Sequence, residues 1–276
     1  MSRITTVDLR KKKADGGRIV MVTAYDYTMA RLADAAGVDM VLVGDSLGMV
    51  VQGNKDTLAV TLDEMIYHAR CVSRALTTAH LTIDLPFGSY QASPDQAIAA
   101  AIRVLKESGA QSVKLEGGTR TAPAIDRMVQ AGIPVVGHVG LTPQSVHAMG
   151  GFRVQGRGDA DAERVVADAL AVADAGAFCL VLEGIPSPVA AEITSRVAIP
   201  TIGIGAGSSC DGQVLVCNDL LGFDGSFQPK FVKRYAELEA PIVDAFRRYA
   251  ADVRSGSFPA DEHGFNQAAG ALKRVY

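Results

Sequence analysis

Eight short apolar runs punctuate this chain of 276 residues, and most are continuous Val/Ile/Leu stretches rather than alternating ones. They fall at residues 19–24, 40–44, 81–85, 112–116, 134–139, 177–183, 200–205 and 213–217. Strands buried on both faces read this way. Helix-start signatures separate them. Thr61-Leu62-Asp63-Glu64 is a capping box, in which the Thr hydroxyl and the Glu carboxylate each satisfy a free backbone N–H. Ser93-Pro94-Asp95-Gln96 predicts a second start, with Pro at the first helical position and Gly109 as the stop. Ile98, Ala101, Ile102 and Leu105 give that helix its apolar stripe, and Val165, Val166, Ala169, Leu170 and Ala173 form another. Strand–helix alternation of this kind means a parallel α/β sheet. Eight strands favour closure into a barrel, and no G-x-G-x-x-G follows the first strand to suggest an open dinucleotide-binding sheet. A (β/α)₈ barrel takes about 250 residues. The expectation is therefore one (β/α)₈ (TIM) barrel domain over residues 1–276. Residues 1–18 carry a short helix that plugs the lower end, a long last helix covers 231–254, and a poorly patterned tail spans 255–276.

Polar groups recur at the right-hand ends of these runs. Asp45 follows VDMVLVG, Asp84 ends HLTI, Glu116 ends SVKL, Glu183 ends AFCLVL, and His138 lies in PVVGHVG. In a barrel of parallel strands all of these ends share one face, where barrel enzymes place their active sites. Asp45 and Asp84 are the first choice as ligands of a hard divalent ion, which takes carboxylate oxygens, and Glu116 can add a third. A single acid at such a place serves as often as a helix cap or an arginine partner; three at equivalent places point to a shared site. Lys114 stands two residues before Glu116, so both side chains share a face of the strand. It either holds a substrate oxygen, acts as a Schiff-base nucleophile, or balances Glu116, and nearby carboxylates that keep an amine protonated argue against the nucleophile. Glu183 is partly desolvated by its apolar approach, which raises a carboxyl toward the range of a general base. His138 is as often structural as it is a substrate contact, and His68, His80, His147 and His263 carry no comparable signal. Gly203, Gly205 and Gly207 after the seventh run are consistent with phosphate binding or with plain tight turns.

Composition narrows the function classes. The net charge is −3 and the basic residues are scattered, which excludes a nucleic-acid stripe. The Lys11-Lys12-Lys13 run reads as a solvated helix face. No run is long enough to span a bilayer, and no apolar core of a signal peptide follows the N-terminus. Cys71, Cys179, Cys210 and Cys217 form no C-x-x-C pair. Cys71 lies in a helical pattern, and Cys179 and Cys217 lie within strand runs, so they read as buried thiols in a reducing compartment, the cytoplasm.

The blocks VTAYDY, VGDSLGMVVQG, DLPFGSY, VKLEGG, GHVGLTPQSV, GGFRVQGRG, LVLEGIP and IPTIGIGAG, in this order, resemble the ketopantoate hydroxymethyltransferase (3-methyl-2-oxobutanoate hydroxymethyltransferase) family from about residue 19 to 265. The resemblance implies transfer of a one-carbon unit from 5,10-methylenetetrahydrofolate to 3-methyl-2-oxobutanoate, giving 2-dehydropantoate on the way to pantothenate. It further implies one Mg²⁺ per subunit on Asp45 and Asp84 with Glu116 in the same shell, and contact of Ser46 and Lys114 with the keto acid. Glu183 is the implied proton acceptor, and a homodecamer built as a pentamer of dimers is the implied assembly. A 2-oxo acid can chelate Mg²⁺ through its keto and carboxylate oxygens, and the ion then stabilises the enolate formed at C3. Two other readings compete. A Mg²⁺-dependent lyase or mutase of the phosphoenolpyruvate mutase and isocitrate lyase type would carry a catalytic Cys or a phosphate-binding Arg, and no convincing strand-end motif supplies either. A non-catalytic barrel that only scaffolds an oligomer would have no need for acids at four strand ends.

Overall fold

The computed structural model describes residues 3–225 and 228–265. The strands are β1 (Ile19–Thr23), β2 (Met40–Val43), β3 (His80–Asp84), β4 (Ser112–Glu116), β5 (Val135–Gly140), β6 (Cys179–Glu183), β7 (Thr201–Ile204) and β8 (Gly212–Leu215). Each pairs in parallel with the next, and β8 pairs with β1, so the sheet is a closed barrel with its helices outside. The expected runs coincide with these strands except at the last. The eighth run was expected at 213–217, but β8 stops at Leu215 and Cys217 opens the helix Cys217–Leu221. The Cys217 N–H donates to Thr23 Oγ1 at 3.0 Å, and Asp219 in the first turn suits a helix start. Gly212 opens β8 because the seam is tight: a Cβ there would sit 2.3 Å from the Ile19 carbonyl oxygen.

The capping box at Thr61 is present in both directions, with Glu64 N–H donating to Thr61 Oγ1 and Thr61 N–H to Glu64 Oε2. The one at Ser93 is one-sided: Gln96 N–H donates to Ser93 Oγ, while Gln96 Oε1 takes the Ala92 N–H instead. The helix it starts (Pro94–Ser108) ends at Gly109 in the left-handed region. Its buried face is Ala97, Ala100, Ala101, Val104 and Ser108, one step round from the expected stripe, and Ile102 is 43% exposed. Small side chains let the helix lie close on the sheet, and the larger ones flank the contact.

The helix Thr6–Ala14 closes the lower end of the barrel. Leu9 packs with Ile19, Met21, Met40, Phe178 and Val214 in a cluster separate from the main core. The lysine run is only partly solvated, which corrects the sequence expectation. Lys12 pairs with Asp39 at 2.5 Å, and Lys13 pairs with Asp211 at 2.9 Å while donating to the Val197 and Ile199 carbonyls. Two of the three lysines therefore pin the helix to the barrel floor. His80 belongs to the same floor, 1% exposed, with Nδ1 3.0 Å from the Ile4 carbonyl and Nε2 2.9 Å from Ser112 Oγ. Burial pushes this imidazole down to about 4. The unfolded chain takes up the proton near pH 6.5, so this group's contribution to stability should be complete above that pH and lost as pH falls toward 4, on the order of 3 kcal/mol. Denaturant midpoints measured from pH 7.5 to 4.5 should show that slope, and His80→Gln should flatten it while lowering stability at neutral pH. An unchanged slope in the variant would remove His80 as the cause.

The last helix runs Glu239–Ser255, not from residue 231 as expected. Pro241 is tolerated in a first turn but not in a helix interior, so the helix starts just before it. The preceding stretch is held on the Cys217–Leu221 helix by backbone bonds from Tyr235 to Leu220 and from Leu238 to Leu221. No described residue of the last helix is buried. The tail after Gly256 includes a short 3₁₀ turn, Asp261–His263, and residues 266–276 of the expected tail lie outside the described residues. No helix among the described residues is long and apolar enough to cross a membrane.

Candidate active site

The upper mouth of the barrel is where the C-terminal strand ends converge, and the seven side chains singled out from the sequence line one cavity there. Asp45, Ser46, Asp84, Lys114, Glu116, His138 and Glu183 all border a space of about 190 Å³. Register explains the convergence: Asp84 lies beside Lys114 across β3 and β4, and Glu116 beside His138 across β4 and β5. A larger cleft of about 580 Å³ next to it shares Glu116 but touches none of Asp45, Asp84, Lys114 or Glu183. The buried titratable groups cluster around the smaller one, which is therefore the candidate site.

Asp45, Asp84, Lys114, Glu116 and His138 are all buried, and the Glu183 side chain is 18% exposed. Lys114 Nζ is 2.5 Å from Asp84 Oδ1 and 3.3 Å from His138 Nδ1. The Asp45 N–H donates to Asp84 Oδ2 at 3.1 Å. Burial, followed by the negative charge of Asp84, pushes the Asp45 carboxyl up to about 7. Burial and the neighbouring Asp45 carry Glu116 well above the ordinary carboxylate range. Burial opposes the charge on Lys114, but Asp84, Glu116 and Asp45 outweigh it and hold the ammonium protonated. His138 is pushed down by burial and by the Lys114 charge, so it stands neutral. An ammonium offers only donors, so His138 Nδ1 is the acceptor and Nε2 carries the proton. That Nε2 lies 3.2 Å from Glu183 Oε2, although it is not aligned as a hydrogen bond.

Three buried carboxylates thus face a single ammonium, and Asp84 Oδ1 has no hydrogen-bond donor aligned on it. A hard cation among these oxygens would offset the excess negative charge, so the donor set fits Mg²⁺. Among the described residues no three His, Cys, Asp or Glu side chains stand ready as a closed cage. Lys114 contacts Asp84, and Gln144 holds the other two acids: its Nε2 donates to Asp45 Oδ2 at 2.8 Å and its backbone N–H to Glu116 Oε2 at 2.9 Å.

Gln144 and Tyr90 were missed in the sequence. Both stand inside recognisable blocks, GLTPQSV and DLPFGSY, but neither ends a strand. Tyr25 was missed too; its hydroxyl lies 2.8 Å from Ser46 Oγ and fixes that side chain. Met49, Phe152 and Phe231 form a partly exposed apolar rim on the same cavity. Phe231 also accounts for one of the glycines after β7, since its ring lies 3.1 Å from where a Cβ on Gly205 would be. Among the described residues that line the cavity there is no Cys and no Arg.

Comparison with known proteins gives the following similarities. The ketopantoate hydroxymethyltransferase family profile matches residues 3–261. The 3-methyl-2-oxobutanoate hydroxymethyltransferase of Pelobacter propionicus is 57% identical over 264 residues, covering 96% of this chain and 98% of that relative. Among solved structures, a phosphonopyruvate hydrolase in complex with oxalate and Mg²⁺ superposes with a TM-score of 0.61 at 13% identity, over 95% of this chain and 93% of that one. A 2,3-dimethylmalate lyase of the PEP mutase/isocitrate lyase superfamily does so with a TM-score of 0.58 at 18% identity, over 97% and 93%. These two structural likenesses show the shared barrel fold alone.

Proposed function

The chain belongs to the ketopantoate hydroxymethyltransferase family, and on that premise we propose how its barrel-top residues divide the work. The protein is a hydroxymethyl transferase that converts 3-methyl-2-oxobutanoate to 2-dehydropantoate in pantothenate synthesis. The one-carbon donor we assign is 5,10-methylenetetrahydrofolate, and the metal is one Mg²⁺ per subunit held by Asp45, Asp84 and Glu116. When bound, that ion supplies Lewis-acid stabilisation of negative charge on the 2-oxo oxygen. The observation that carries the assignment is the buried cluster of three carboxylates and one ammonium around a cavity the size of a small keto acid.

Lys114 points its ammonium at the 2-oxo oxygen, where charge develops as C3 loses its proton. Ser46, fixed by Tyr25, donates to the substrate carboxylate. Asp45, Asp84 and His138 complete the walls around the keto acid. Glu183 accepts the C3 proton. It stands on β6, across the barrel from Asp45 on the β2 side, and can approach the face of the substrate away from the acids. The C3 carbanion then attacks the methylene carbon of the folate iminium ion to form the new C–C bond. Water then replaces the folate nitrogen on that methylene carbon: the C–N bond breaks, the hydroxyl stays on the carbon, and tetrahydrofolate leaves carrying the water proton and the proton removed from C3. The Met49, Phe152 and Phe231 rim offers the flat pterin an apolar seat at the mouth.

The assembly we assign is a decamer, a pentamer of dimers. The unburied last helix, with Val243, Phe246, Tyr249 and Val253 exposed, supports contact with another copy. The cytoplasm is the assigned compartment, consistent with four free cysteines.

Purified protein supplied with 3-methyl-2-oxobutanoate and methylenetetrahydrofolate should form 2-dehydropantoate, stop with EDTA and resume with Mg²⁺. Cleavage of 2,3-dimethylmalate or phosphonopyruvate instead would favour the lyase reading. Lys114→Ala should raise the KM for the keto acid and lower turnover, while borohydride should trap no adduct in the parent enzyme. A trapped imine would revive the Schiff-base role of Lys114.

A further inference from the structure

We propose that Gln144 is a positioning residue that presets two of the acids, Asp45 and Glu116, for a divalent cation. The inference rests on the metal assignment above. Gln144 lies in the 3₁₀ turn Pro143–Ser145 just after β5 and is 5% exposed. Both ends of its amide and its backbone N–H are engaged. Nε2 donates to Asp45 Oδ2 and to the Leu85 carbonyl at 3.0 Å, and the backbone N–H donates to Glu116 Oε2. Oε1 accepts from the Tyr90 hydroxyl at 2.7 Å and from Gln91 Nε2 at 3.0 Å. The neighbours fix the amide orientation, since only acceptors face Nε2 and only donors face Oε1. Tyr90 is tied into β4 as well, because its hydroxyl accepts from the Glu116 N–H at 3.1 Å.

The consequence is geometric. One residue takes a single oxygen from each of two carboxylates, one just after β2 and one at the end of β4, and makes no bond to the other oxygen of either. Both side chains are thereby held in one rotamer before any cation arrives, and two donors are set against two like charges. Residues that hold metal-ligating carboxylates this way typically govern about 10–100-fold in metal affinity. The contact joins residues 99 apart in sequence, so nothing local replaces it.

Mn²⁺ binding to the EDTA-stripped full-length protein, read by titration calorimetry without substrates, tests this. Gln144→Leu and Gln144→Glu should each weaken Mn²⁺ by about 10–100-fold, with thermal unfolding in EDTA close to that of the parent. Gln144→Glu keeps the size of the side chain but sets an acceptor against Asp45 Oδ2. Tyr90→Phe should weaken Mn²⁺ less, because Gln91 still donates to Gln144. Parent-like Mn²⁺ affinity in Gln144→Glu overturns the proposal and leaves the transferase assignment standing. Affinity lost only in step with the unfolding midpoint overturns it as well, since Gln144 would then be a packing residue. Absence of Mn²⁺ binding in the parent overturns both this proposal and the metal assignment. Weakened Mn²⁺ binding in a protein that makes no 2-dehydropantoate would uphold Gln144 and reject the assigned reaction.

Discussion

Glu183→Gln is expected to bind the keto acid and a divalent ion as the parent does, and to form product about 10²–10⁴-fold more slowly. The amide keeps the size of the carboxylate but cannot accept a proton. Glu183 is neither in the Asp84–Lys114 ion pair nor among the hydrogen-bond partners of Gln144, and its side chain is the most open of the four acids at 18% exposure. His138 Nε2 lies 3.2 Å from its Oε2 without an aligned hydrogen bond, so the amide breaks no bond there. The expected signature is therefore a fall in kcat at nearly constant KM, measured by steady-state kinetics. A matching fall in substrate affinity would make Glu183 a binding group instead.

Asp84→Ala and Asp45→Ala should both abolish Mg²⁺-dependent turnover, but they should differ in stability. Asp84 is the ion-pair partner of buried Lys114 and accepts the Asp45 N–H. Removing it leaves an ammonium buried without its partner, which costs about 3–5 kcal/mol. Asp45 is held up to about 7 by burial and by the charge of Asp84, so its loss also relieves a like-charge contact. Asp45→Ala should fold nearly as stably as the parent, and Asp84→Ala should be clearly weakened. Denaturant midpoints in EDTA and rates at limiting Mg²⁺ measure the two effects. Either variant keeping parent-like rates at limiting Mg²⁺ would remove that residue from the metal assignment.

The barrel was legible because its strands are continuous apolar runs and their partners are always the next run along the chain. The candidate acids were legible for the same reason: strand ends can be read off the sequence, and closure brings them together. Gln144 was not, because its roles exist only when the turn after β5 folds across to the β2 end. Lys13 misled in the opposite sense. A lysine run looks solvated until the floor of the barrel supplies Asp211 and two free carbonyls. Residue 217 was read as strand because Cys suits a buried strand, whereas Asn218 and Asp219 behind it start a helix. The last helix was placed too early because Phe231 and Val232 look periodic, while Pro241 fixes the actual start near Glu239.

Exchange of the C3 proton of 3-methyl-2-oxobutanoate with solvent, followed by NMR in D₂O without folate, is the most direct test of Glu183 as the enolising base. This reading isolates proton removal from the carbon–carbon step. The parent enzyme should exchange C3–H in the presence of Mg²⁺ and Glu183→Gln should not, although it still binds the keto acid. Exchange at the parent rate in Glu183→Gln, with product formation lost, would contradict the assignment. Glu183 would then belong to the folate step, and His138 would be the next residue to test as the base.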